Sequence, residues 1–135
     1  MKTKINPAMP GTDTTILRIT LDLRTESEAN LRENWHIKTK RVRMQRQITC
    51  IMVRQCRKDW RDDLPGTTYV ITLTRIAPRP LDSDNLARSF KAIRDGIADA
   101  LEINDGSKRL VWNYGQEKGL PKKYAVRIEI QTNAR

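Results

Sequence analysis

The residues of this chain best suited to chemistry are carboxylates gathered in one stretch. Asp82, Asp84, Asp95, Asp99, Glu102 and Asp105 fall within 24 residues of a chain whose formal net charge is +10. A molecule this basic has little electrostatic reason to concentrate acids, and divalent-cation binding is the usual one, because carboxylate oxygens suit hard cations. The tightest pair lies in Pro80-Leu81-Asp82-Ser83-Asp84-Asn85-Leu86. With Asp82 just outside a helix and Asp84 in its first turn, both side chains can approach one point. A metal held there polarises a P–O bond and lowers the pKa of a bound water, so the chemistry within reach is hydrolysis of a phosphate ester. The same spacing also fits a helix cap plus a favourable dipole interaction. An EF-hand loop is excluded, since it needs Gly where Ala87 stands and Glu where Ile93 stands.

The element that carries the pair is the clearest in the sequence. Leu86, Phe90, Ile93, Ile97 and Leu101 recur at spacings of four, three, four and four, which predicts one helix with an apolar stripe. Asp84, Arg88, Lys91 and Asp95 share its opposite face. Gly96 costs about 1 kcal/mol of helix propensity relative to Ala, which the stripe offsets. Asn104-Asp105-Gly106 is a turn signal. A helix of roughly 18 residues is about 27 Å long, so Asp105 can join Asp82 and Asp84 only if the chain after Leu101 doubles back. The residues alone support the pair better than the triad.

The rest of the charge points to a polyanionic partner, nucleic acid first. There are 26 basic and 16 acidic residues. Lys38, Lys40, Arg41, Arg43, Arg46, Arg54, Arg57, Lys58 and Arg61 face only Asp59 in their stretch. A solvated surface mixes its signs, so this run reads as a face that tracks phosphates. Residues 26–60 lack Pro and Gly, which predicts a long basic helix with Leu31, Trp35, Val42, Thr49, Met52 and Cys56 near one stripe. Cys50 and Cys56 lie on different faces of it and are expected as free thiols of a reducing compartment. No apolar run approaches membrane-spanning length and the N-terminus lacks a signal-peptide core, so the expected location is cytoplasmic with no membrane partner.

The remaining elements complete a single α+β domain. Residues 1–13 are expected to be a flexible arm and 14–135 the domain. Alternation places Leu17, Ile19, Leu21 and Leu23 on one side of a first strand, with Ile16 the apolar exception on the other. Thr68 to Ile76 predicts a second strand, ended by Ala77-Pro78-Arg79-Pro80. Leu110 to Gln116 predicts a third and Tyr124 to Gln131 a fourth, joined by a basic turn bearing Lys118, Lys122 and Lys123. The order β-α-β-α-β-β predicts two helices packed on a four-stranded mixed sheet. Trp35, Trp60 and Trp112 read as core residues. His36, the single histidine, reads as structural or as a nucleic-acid contact.

Asp82-Ser83-Asp84-Asn85-Leu86, Lys91-Ala92-Ile93-Arg94-Asp95 and Asn104-Asp105-Gly106 together resemble the RusA family of Holliday-junction resolvases, of phage and prophage type. Asn34-Trp35-His36 before a basic helix, and the strand bearing Trp112 and Gln116, are similar to phage members. The resemblance spans most of residues 16–132. It implies a homodimeric, Mg²⁺-dependent endonuclease that cuts branched DNA such as a four-way junction, in recombination and repair. Mn²⁺ is expected to substitute. It further implies that Asp82, Asp84 and Asp105 are the metal ligands, that the fold brings them together, and that a lysine is catalytic. Arg88 stands where the family lysine commonly sits, four residues after the second aspartate. Lys91, in its Lys-Ala-x-x-Asp context, is the better local match, and both share a helix face with Asp84. Asn104 replaces a further acid of the family's second turn. Lys38, Lys40, Arg41, Arg43, Arg46 and Arg88 are the expected DNA contacts. Two other readings stand beside this one: a catalytically inactive DNA-binding protein of the same family, and a module that binds or cuts structured RNA.

Overall fold

The computed structural model describes residues 14–25, 35–57 and 66–133. The expected arm, both ends of the expected basic helix, and Trp60 lie outside the described residues. The elements run β1 (Thr14–Leu21), α1 (Trp35–Arg57), β2 (Thr68–Ala77), α2 (Ser83–Ser89), α3 (Lys91–Leu101), β3 (Leu110–Lys118) and β4 (Ala125–Asn133). The sheet order is β1-β4-β2-β3. β4 pairs antiparallel with β1 and β2, while β2 and β3 are parallel. The fold is α+β with a four-stranded mixed sheet, as the strand patterns predict. The expected two helices are three among the described residues, because the second breaks in two.

Alternation sorts the sheet into two faces. Register places Leu17, Ile19 and Leu21 beside Ile130, Ile128 and Val126, these beside Ile71, Leu73 and Arg75, and those beside Trp112, Tyr114 and Gln116. This is the helix-bearing face. Ile71, Leu73, Ile128 and Ile130 are wholly buried there, against Phe90, Ile93 and Ile97 from the helical layer. Each such side chain contributes roughly 1.5–3 kcal/mol through removal from water. The other face carries the ion pairs Arg18–Glu129 and Arg127–Glu117. Ile16, out of phase in the sequence, is the extra residue of a bulge. Thr15 pairs with Gln131 and Leu17 with Ile130, so two steps on β1 match one on β4.

Parallel neighbours need a crossover, and α2 with α3 supplies it between β2 and β3. α1 packs along α3 rather than lying flat on the sheet. Its buried line is Gln45, Thr49 and Val53, an i, i+4, i+8 stripe. The expected stripe shares only Thr49 among the buried residues. Trp35 is 69% exposed and Met52 lies at the surface, so Trp35 is not a core residue. Gly96 is where the helices touch. A Cβ there would sit 2.5 Å from the Arg46 carbonyl oxygen and 2.8 Å from Thr49 Cβ. Close approach, not helix propensity, is the reason for this glycine.

Candidate functional site

Asp82 caps α2. Its backbone is extended (φ −70°, ψ 168°), and its Oδ1 accepts from the Asn85 amide at 2.9 Å. That bond satisfies an amide the first helical turn would otherwise leave open. The preceding residue is clamped to β3 by Gln116. The Leu81 amide donates to Gln116 Oε1 at 3.0 Å, and Gln116 Nε2 donates to the Leu81 carbonyl at 2.8 Å. Asp84 lies two residues on, in the first turn of α2, exposed, and no hydrogen bond or ion pair engages it among the described residues.

The helix then breaks at Phe90, and the cause is local. Ser89 Oγ donates to the Leu86 carbonyl at 2.6 Å. That carbonyl is the normal acceptor for the Phe90 amide, which turns instead to Ala87 at 3.2 Å. A side-chain hydroxyl has displaced a rung of the ladder. Phe90, at φ −95° and ψ 5°, closes α2 and opens α3. Its ring is fully buried and stacks on Tyr114 of β3, with centroids 5.6 Å apart. Asp84 and Arg88 therefore belong to one helix and Lys91 and Asp95 to another. The expectation of one continuous face for all four is corrected by that break.

After α3 the chain doubles back. Glu102 takes a left-handed conformation (φ 59°), and the Ile103 amide donates to the Ala98 carbonyl at 3.1 Å. Asn104 Oδ1 accepts from the Gly106 amide at 2.8 Å, which tightens the turn. The reversal brings Asp105 back along α3 to the ammonium of Lys91, a side chain that itself reaches one turn down the helix to Asp95. Asp105 Oδ2 lies 3.4 Å from Lys91 Nζ, and Asp95 Oδ1 lies 2.9 Å from the same nitrogen. The Arg94 guanidinium is 3.9 Å from Asp105 and stacks 4.9 Å over the Trp112 ring. Trp112 Nε1 donates to the Asp105 carbonyl at 3.2 Å. Trp112 is thus a half-buried brace for this turn.

Asp95 as a second carboxylate on Lys91, and Arg94 beside Asp105, are partners that sequence reading does not single out for the site. The i, i+4 spacing of Lys91 and Asp95 signals their pair. Nothing in the spacing signals that Asp105 joins it. The hydrogen bond to Asp95, first among its causes, holds the Lys91 ammonium above its ordinary pKa. Among the described residues no three acidic, histidine or cysteine side chains converge as a metal-ligand group, so Asp82, Asp84 and Asp105 do not form a ready-made triad. The donors of the expected set are oxygen-only, the chemistry Mg²⁺ takes, but the two carboxylates that do converge are Asp95 and Asp105, and they meet on the Lys91 ammonium rather than with Asp82 and Asp84.

The cations of α1 divide into two groups. Lys38, Lys40 and Arg43 are exposed and Arg41 is half-buried. Arg46 faces α3, where its Nε and Nη2 clasp Asp99 at 2.7 and 3.0 Å, with Asp95 3.9 Å away. That bidentate bond lowers the Asp99 pKa and raises that of Arg46. Arg88 is exposed and no ion pair engages it among the described residues. His36 meets Trp35 edge to face at 4.9 Å. Cys50 and Cys56 are free thiols. No described helix is long and apolar enough to cross a membrane. No family model and no curated protein matches the chain.

Proposed function

We propose that this chain is a Mg²⁺-dependent endonuclease of the RusA type, hydrolysing phosphodiesters in branched DNA as a cytoplasmic homodimer. One observation supports the reading above the others. The Asp105 turn folds back along α3 onto the Lys91 ammonium, which lies between two carboxylates, and α3 follows directly on the helix that presents Asp82 and Asp84. An acidic site with an ammonium inside it, on a chain of net charge +10, suits a negatively charged ester better than a neutral substrate.

Asp82, Asp84 and Asp105 would hold the cation, whose contribution when bound is to polarise the phosphoryl group and lower the pKa of a water. Lys91 stays protonated through its carboxylate partners and neutralises charge developing on the phosphoryl oxygens. Exposed Lys38, Lys40, Arg43 and Arg88, with Arg41, follow the flanking phosphates. A dimer offers two such faces, matching the two-fold symmetry of a four-way junction.

The test is a labelled four-way junction incubated with purified protein, with and without Mg²⁺, beside linear duplex and structured RNA. Cleavage of the junction alone, dependent on Mg²⁺, is the expected result. Asp84→Asn should abolish cleavage and preserve binding; a variant that cuts normally would overturn the assignment of the site. A second reading has an observation of its own. The described residues contain no three-carboxylate group, which favours a DNA-binding relative that does not cut. Binding without cleavage at any Mg²⁺ or Mn²⁺ concentration would establish it. Equal cleavage of RNA would move the substrate class.

A further inference from the structure

A cleft of about 490 Å³ opens where the chain leaves β2, and it is lined by Arg24, Arg75, Arg79 and Lys122 together with Tyr124, Leu81 and three prolines. Four cations line it and no carboxylate does. Arg75 is 4% exposed and serves as the frame. Its Nε donates to the Thr25 carbonyl at 3.1 Å and its Nη1 to the Arg79 carbonyl at 2.7 Å. Those bonds fix the backbone of Arg79 on one wall. Arg24 lies over the Tyr124 ring, its Cζ 4.2 Å from the centroid, which places a second guanidinium. Lys122 is held at φ 63° on the facing turn, a left-handed conformation that residues with a side chain rarely adopt. The side chains of Arg79 and Lys122 have no carboxylate partner among the described residues.

We propose that this cleft is a phosphate-binding pocket, and that its ligand is a backbone phosphate of the nucleic-acid strand next to the one placed at the carboxylates. The identity of the polymer rests on the function proposed above. The preference for a phosphate rests on the lining. Planar guanidinium forks match tetrahedral oxyanions in pairs. Leu81 is a shared wall. It lines the cleft, and the next residue is Asp82. A strand anchored here is thereby registered against the acid pair, and the Gln116 clamp on Leu81 keeps the two sites at a fixed offset.

The experiment compares the wild type with the Arg79→Ala/Lys122→Ala double variant, both side chains being exposed. Binding of a fluorescent four-way junction is measured without Mg²⁺ across a salt series, and thermal melts check that both proteins are folded. If the double alanine variant is not folded, Arg79→Gln/Lys122→Gln, which keeps the side-chain stems, replaces it. One phosphate fewer should reduce the slope of log affinity against log salt by about 0.9. An unchanged slope and affinity overturns the pocket and leaves the nuclease reading in place. If the wild type binds no nucleic acid, that reading falls, and the pocket is judged on inorganic pyrophosphate followed by side-chain NMR. Saturable shifts at Arg24 and Arg75 that vanish in the double variant keep it as a phosphate site. No shifts overturn it.

Discussion

Gly96→Ala sets two effects of opposite sign against each other. Helix propensity alone favours the alanine by about 1 kcal/mol. The new methyl, however, would lie 2.5 Å from the Arg46 carbonyl oxygen, where ordinary contact begins at 3.4 Å. The shortfall is 3.4 − 2.5 = 0.9 Å. A backbone oxygen cannot rotate away, so α1 must move off α3 as a body. Overpacking costs about 1–3 kcal/mol, and a clash against backbone falls in the upper part of that range, about 2–3 kcal/mol. The two effects sum to a net loss of roughly 1–2 kcal/mol, and at about 4 °C per kcal/mol for a domain of this size the melting temperature should fall by about 4–8 °C. Circular dichroism melts of wild type and variant decide the matter. An unchanged or higher melting temperature would show that propensity wins and that the α1–α3 contact is not as close as described.

Asp82 has a capping role and a proposed ligand role, and two substitutions separate them. Asparagine caps as well as aspartate, so Asp82→Asn should keep the melting temperature and abolish cleavage, whereas Asp82→Ala should also lose about 1 kcal/mol. An Asp82→Asn variant with full activity would reduce Asp82 to a cap. The Arg46 hydrogen bond holds the Asp99 carboxyl below its ordinary range, so its contribution to stability is present above about pH 4 and fades as pH falls through the depressed value. The melting-temperature margin of wild type over Asp99→Asn should therefore be largest near neutrality and shrink on acidification; a margin that widens in acid contradicts the pairing. Arg46→Ala should lower stability and leave the salt slope of DNA binding nearly intact, while Arg43→Ala should do the reverse, taking about 0.9 from the slope.

The strands were legible because burial on one face imposes a period of two that few substitutions can hide. β4 shows it in Val126, Ile128 and Ile130, all wholly buried. The exception at Ile16 is informative too, since an out-of-phase residue is what a bulge looks like in sequence. The broken helix was not legible. Its apolar stripe continues through Phe90 because both halves pack on the same core, and the break is made by one hydroxyl, Ser89, whose choice of acceptor leaves no periodic trace. The face of α1 was misread for a related reason. Its partner is another helix at Gly96, so its buried line runs through Gln45, a side chain that no hydropathy pattern selects, and shares only Thr49 with the expected stripe. At the site, the Asp82 cap could be read from spacing, but the return of Asp105 to Lys91 depends on a left-handed Glu102 and a brace from Trp112. Neither residue type demands its role.

The parts of the candidate site share one support. Gln116 holds Leu81, Tyr114 stacks on Phe90, and Trp112 holds the Asp105 carbonyl. These three side chains are alternate residues on one face of β3, so their anchor points are spaced by the pleat, about 13 Å from first to last. A strand paired along its whole length with β2 is stiffer than either acidic turn. Spacing between the turns is therefore a property of the sheet, while each turn sets only its local geometry. The helix break belongs to the same scheme. A continuous helix would carry Lys91 away on the axis of α2, whereas the Phe90–Tyr114 stack pins the bend over the middle of β3 and leaves the Asp84 and Asp105 segments on either side of it. The Ser89 hydroxyl, by letting the helix bend there, gives Lys91 its place beside the second turn.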